Sequence, residues 1–191
     1  MITYTAGTFT HNVTNSTFTY FGTAYRTVPH DATEPLTAQY SIGGGRWNAP
    51  QTNLILYTFT NVSTAQMFLT HQAHVWGFDW TSVNPEKQQD LLIMQLNVDN
   101  LADLATNAGL QFYDLPIQYP TGLQNDTAWP ITQPIGQRVF ASGLSGLVTR
   151  SASSPGWSGA MTEWGEVAVF PDRVSSVVLL ERVRFSDWYG R

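Results

Sequence analysis

Short runs of aliphatic, aromatic and β-branched residues recur along the whole chain, and most end at Pro, Gly, Asn or Asp. This rhythm restricts the fold more than any other feature. A period of two with turn residues between runs makes strands, whereas sustained 3.6-residue periodicity makes helices. Within residues 1–24, Ile2 to Thr5 and Thr17 to Phe21 alternate as short strands, and Tyr25 to Val28 stays extended up to Pro29. Residues 29–45 hold Pro29, Asp31, Pro35 and three glycines and read as a loop. Asn53 to Thr60 and Leu91 to Val98 read as buried strands. Gly146 to Ser151, Glu166 to Phe170 and Val174 to Phe185 follow as further strands, with a turn at Pro171 and Asp172.

Helix signals are fewer. Thr64 to Val75 carries Ala65, Phe68, Leu69 and Gln72 at helical spacing, behind Asn61 or Ser63 as cap. A short helix is expected from Leu101 to Ala108, closed by Gly109, and another from Ile135 to Leu144 carrying Arg138. Residues 110–135 are rich in Pro, Asn and Asp and read as a long loop, the natural place for a lid. Ala152 to Ser158 reads as a small-residue loop. There is no repeat or low-complexity linker. The predicted fold class is α+β, a single strand-rich domain over residues 1–191, with N-terminal strands in residues 1–24.

Composition removes several functions. The formal charge is −5 and only 12% of residues are charged, so the chain lacks the basic surface of a nucleic-acid binder. Without cysteine there is no thiolate chemistry and no disulfide. No apolar run has the length of a membrane span, and the Thr- and Asn-rich start lacks a signal peptide's pattern. A cytoplasmic protein with no membrane contact is the expectation. The Asn-x-Ser/Thr triplets at Asn12, Asn15, Asn61 and Asn125 are then chance in a Thr-rich chain. His71 and His74 share a helix face with no acid beside them, so no metal is expected. The scattered tryptophans read as packing residues.

Against this background Gly43-Gly44-Gly45-Arg46-Trp47-Asn48 stands out. Glycines let a ligand approach the backbone. Arg46 offers a planar fork for phosphate or carboxylate, Trp47 can pack or stack, and Asn48 can donate and accept. Eight of the nine basic residues are Arg, which in a charge-poor chain suggests specific partners such as a few phosphates.

Tyr25-Arg26, the Gly-Arg-Trp-Asn element, the strand with Tyr57, the helix start at Ser63-Thr64-Ala65, Arg150-Ser151 and Val167 to Pro171 together resemble the RES domain family. The resemblance runs from residue 25 to 185 and implies a fold like that of ADP-ribosyltransferases. It also implies a bacterial toxin of a toxin–antitoxin pair that consumes NAD by breaking the nicotinamide–ribose bond, as glycohydrolase or phosphorylase. The implied partner is a helix-turn-helix antitoxin protein, and a homodimer is left open. By position, Arg26, Arg46, Tyr57 and Ser151 match the family's functional residues. With Tyr25, Trp47 and Asn48 added from their own chemistry, the expected NAD contacts are Tyr25, Arg26, Arg46, Trp47, Asn48, Tyr57 and Ser151. A bidentate arginine suits the pyrophosphate, and the aromatic rings suit nicotinamide or ribose.

The chain departs from the family at Phe68, which stands where the family has glutamate. No acid lies between Asn61 and Phe78 to replace it. Breaking the glycosidic bond builds positive charge on the ribose, so a carboxylate is needed nearby. Glu163 and Glu166, after the serine strand, are the candidates. The alternatives are an ADP-ribosyltransferase acting on a protein, or a non-catalytic module that binds a nucleotide or a partner. Plainer roles exist for each residue: an ion pair for Arg46, core packing for Tyr57, a turn for Ser151, a solvent-facing strand position for Glu166.

Overall fold

The computed structural model describes residues 6–12, 17–120, 128–153 and 165–189. Its strands are β1 (Thr8–Asn12), β2 (Thr17–Pro29), β3 (Leu56–Phe59), β4 (Gln89–Leu104), β5 (Gly146–Arg150), β6 (Gly165–Val169) and β7 (Ser176–Val183). The helices are α1 (Val62–Trp76), α2 (Asn107–Phe112), α3 (Trp129–Ala141) and α4 (Phe185–Trp188). The mixed sheet and helices agree with the α+β expectation.

The strands run in the order β1-β2-β3-β6-β5-β4-β7, and β2 also pairs with β4. That extra ladder joins the two arms, so β2, β3, β6, β5 and β4 form a ring. Alternation then sorts the side chains. Phe18, Tyr20, Ala24 and Val28 of β2 meet Leu92, Met94, Leu96 and Val98 of β4 in one core, with Leu56, Val148, Val167 and Val169 from the other arm. Each large side chain buried there contributes about 1.5–3 kcal/mol. Outside the ring, Leu104, Leu147 and Ala168 pack with Ile135 and Val139 of α3. Phe59, Leu91 and Ile93 pack with Ala65 and Leu69 of α1 and with Phe185 and Trp188 of α4.

Several expected elements differ. The short helix expected at Leu101–Ala108 is strand up to Leu104, because Leu101 to Leu104 pair in parallel with β5 and tertiary pairing overrides local preference. The helix begins only at Asn107, capped by the Thr106 hydroxyl. Gly109 is therefore inside α2, where a Cβ would lie 2.2 Å from the Asp103 carbonyl. The expected loop 110–135 is partly helical: α3 opens at Trp129, with Pro130 in its first turn where no N–H is needed. The last strand stops at Val183 and α4 follows it. No helix among the described residues is long and apolar enough to cross a membrane.

The start of α1 follows the sequence reading. Asn61 Oδ1 accepts the Thr64 N–H at 2.8 Å and its hydroxyl at 3.1 Å. Asn61→Ala should cost about 1 kcal/mol. In a thermal melt this should appear as a fall in Tm of about 2–4 °C.

Candidate functional site

Three strand pairings lay out the floor of the site. Tyr25 pairs with Phe59, Phe59 with Glu166, and Glu166 with Thr149. Directly paired residues share a face, so these four side chains form one row across β2, β3, β6 and β5. Tyr57 and Ala168 form the neighbouring pair on the same face. Phe68 of α1 packs on Phe59, with ring centroids 5.2 Å apart. The helix position where a glutamate is expected thus sits over the residue next to Glu166.

Glu166 is partly buried, not a solvent-facing strand residue. The Ser151 Oγ donates to its Oε1 at 2.6 Å, and the Ala152 N–H also donates to the carboxylate. Ser151 is fully buried at the end of β5, and its Oγ accepts the Ser153 N–H at 3.3 Å. Burial raises the Glu166 pKa, opposed by the Ser151 hydrogen bond, the Arg46 charge and the Ala152 N–H. Desolvation wins because taking a carboxylate out of water costs more than one serine returns.

Arg46 acts on the same carboxylate through its charge. Its Nη1 donates to the Tyr119 hydroxyl at 3.3 Å, and its guanidinium lies 5.9 Å from that ring's centre. Tyr119 is fully buried and also meets the Thr149 side chain. Burial raises the Tyr119 pKa, while Arg46 pulls it down and Glu166 pushes it up. Tyr57 senses the same two charges, and burial raises its pKa first of all. Arg46, Tyr57, Tyr119, Ser151 and Glu166 therefore form one electrostatic cluster.

The glycine stretch makes this approach sterically feasible. A Cβ on Gly45 would lie 2.8 Å from the Tyr57 hydroxyl, and one on Gly136 of α3 would lie 1.8 Å from the Trp47 carbonyl. The loop thus packs between β3 and α3. The Tyr57 hydroxyl accepts the Trp47 N–H at 3.0 Å and donates to Asn48 Oδ1 at 3.0 Å. Asn48 Nδ2 donates to the Ser41 carbonyl at 2.7 Å, and Gln133 of α3 donates to the Gly45 carbonyl at 2.9 Å.

The sequence-predicted residues thus fall into three groups. Arg46, Tyr57, Ser151 and Glu166 come together, with Tyr25 in the row of Glu166. Trp47 and Asn48 are buried and hold the loop in shape. Arg26 alternates with Tyr25 and points to the enclosed core, where it donates to the carbonyls of Tyr57 at 3.0 Å and Thr37 at 3.3 Å. Burial pushes its pKa down to about 10. Glu163 lies outside the described residues, as does most of the small-residue loop.

Tyr119 was not singled out by the sequence, and Arg150 was named only as part of the family resemblance, without a role of its own. Tyr119 sits in a Pro-rich segment that reads as loop, and nothing local marks it as buried. A cavity between the glycine loop and α3 is lined by Trp47, Asn48, Asn53, Trp129, Gln133 and Gln137. It has no charged residue in its described wall. Among the described residues, no group of three or more His, Cys, Asp or Glu side chains could hold a metal ion.

The fold has a counterpart among solved structures. One chain in the crystal structure of the M. tuberculosis MbcT-MbcA toxin-antitoxin complex aligns with a TM-score of 0.71 at 16% identity, over 90% of this chain and 87% of that chain. At that identity the likeness concerns the fold. No curated protein is significantly similar in sequence. The profile described as RES domain matches residues 23–187, which is most of the sequence and includes every residue of the cluster. The chain belongs to the RES domain family.

Proposed function

We propose that this protein is an NAD-consuming toxin that breaks the nicotinamide–ribose bond. The observation that carries the reading is a partly buried carboxylate, Glu166, held by Ser151 at 2.6 Å and within electrostatic reach of the Arg46 cation. Dinucleotide cleavage needs both charges. Arg46 anchors the pyrophosphate, for which a planar guanidinium is geometrically suited. Tyr57 braces the anchor loop, and Tyr25 offers an aromatic edge to nicotinamide or ribose. Arg26 acts from behind, tying β3 to the loop that covers the core.

The chemistry is a substitution at the ribose anomeric carbon. The bond to the nicotinamide nitrogen breaks, and its electron pair neutralises the ring's positive charge. The positive charge left on the ribose is stabilised by the Glu166 carboxylate. Water or phosphate then bonds to that carbon, and a water nucleophile gives up a proton. In this reading Glu166 does from the sheet what a helix glutamate would do at the position of Phe68.

The toxin–antitoxin setting of the M. tuberculosis relative supports an antitoxin partner, which we take to be a helix-turn-helix protein that covers the site. A cytoplasmic location follows from NAD as substrate. The Phe59–Phe68 contact favours one competing reading, a nucleotide-binding module without turnover.

Nicotinamide release from NAD separates the two. Purified protein should release it, while unchanged NAD with retained binding would leave only the binding module. Transfer to a protein would instead show as ADP-ribose attached to a target. Arg46→Ala should abolish NAD binding in calorimetry on every reading, and retained binding would remove Arg46 from the site.

Glu166→Gln gives a two-sided test. Turnover should fall by about 10²–10⁴. Stability should move the other way. The folded-state pKa lies above the ordinary 4.5, so the folded protein holds this proton more tightly than the unfolded chain. That stabilisation is complete below the unfolded value and is lost as pH rises through the folded value. At neutral pH the ionised, buried carboxylate therefore costs stability, and glutamine should raise Tm there. A lowered Tm with unchanged turnover would make Glu166 a structural residue.

The same sign sets the pH profile. Turnover requires the carboxylate, so kcat/KM should rise with pH through the raised Glu166 pKa. Ser151→Ala removes a hydrogen bond that lowers this pKa, so the inflection should move to higher pH. An unmoved inflection would assign the titration to another group.

A further inference from the structure

We infer that Arg150 is a positioning residue that sets the Arg46 fork through Tyr119, and with it the affinity for the dinucleotide. The inference rests on the proposed role of Arg46 as pyrophosphate anchor. Arg150 is buried at the end of β5. Its Nε donates to the Ala105 carbonyl at 2.8 Å. Its Nη1 donates to the carbonyls of Ile117 at 2.6 Å and Tyr119 at 3.1 Å. Its Nη2 donates to Asn107 Oδ1 at 2.8 Å. These acceptors lie before α2, at its first residue and after it, and only a guanidinium has a rigid fork that reaches them together.

A staple for α2 alone would explain the bonds to Ala105 and Asn107. It would not explain a fork that ends on Tyr119. That tyrosine is held at both ends by consecutive residues of β5: its carbonyl by Arg150 and its hydroxyl by Thr149. The hydroxyl is also the acceptor for Arg46. The next residue, Ser151, holds Glu166. Three successive residues at one strand end therefore place the ring that orients the cation, the segment that carries the ring, and the carboxylate.

The test is a double-mutant cycle on the full chain, using wild type, Arg150→Lys, Tyr119→Phe and the double variant. KM and kcat for NAD are measured, with calorimetric affinity for ADP-ribose. Lysine keeps the charge and loses the fork. Arg150→Lys should raise KM and weaken ADP-ribose binding about tenfold, the scale of one lost hydrogen bond of about 1.4 kcal/mol. The value of kcat should stay within about threefold, because an anchor acts on bound substrate and transition state alike. Tyr119→Phe should do the same, and the double variant should be no worse than the worse single one.

Additive effects, or a lower kcat at constant KM, would overturn the inference. Should Arg150→Lys fail to fold, Asn107→Ala removes one acceptor from the fork and should give a smaller KM rise that is also non-additive with Tyr119→Phe. Additivity there would overturn the inference equally. A wild type that neither cleaves NAD nor binds ADP-ribose overturns the reading of the site together with the inference. A wild type that binds, with additive variants, overturns the inference alone.

Discussion

β2 pairs with β4 along nearly its whole length, from Thr17 opposite Ala102 to Pro29 opposite Gln89, and most other strands are placed by one of these two. β1 and β3 lie along successive parts of β2, while β7 and β5 lie along successive parts of β4. Because β4 reaches past β7 to Leu104, it can pair in parallel with β5 and close the ring. This reach also ends the strand beside Asp103 and Thr106, which turn the chain into α2. The loop that follows α2 brings Tyr119 back against β5.

The cluster on the outer face is built at an energetic disadvantage. A carboxylate removed from water is held by one serine hydroxyl, one backbone N–H and the charge of Arg46. A core built for stability alone would use an apolar residue there, as Phe59 and Phe68 do one step away. The exception lies where a cation, the buried phenol of Tyr119, the partly buried phenol of Tyr57 and a carboxylate converge. Such pairing of cost and convergence is typical of functional sites. The supports around it are ordinary packing devices: Asn48 bonding Tyr57, a glycine letting α3 touch the Arg46–Trp47 loop, and Arg150 gripping carbonyls.

Long runs were the most legible part of the chain. Leu91 to Val98 and Thr64 to Val75 declare a strand and a helix by period, and Asn61 declares its cap. Less legible were segments whose state depends on a distant partner. Leu101 to Leu104 is strand only because β5 lies beside it, and Trp129 to Ile135 is helix despite two prolines. For the site, the glycine stretch marked Arg46, and the family resemblance marked Tyr57 and Ser151. Tyr119 carries no local signal because it lies in a Pro-rich loop, and Arg150 entered only as the neighbour of Ser151 in the resembling segment, with nothing local to show what it grips.

By itself the sequence determined the composition of the chain: a strand-rich α+β pattern, an arginine behind three glycines, no cysteine, and no acid on the first helix. These follow from local rules of period, turn chemistry and charge. Only the tertiary structure brought Glu166 into the cluster with Arg46. Glu166 is close because its strand pairs in a register that sets it between Phe59 and Thr149, and a slip of one residue would turn it to the opposite face. Register comes from the packing of the whole ring, so no window of sequence around Glu166 contains it.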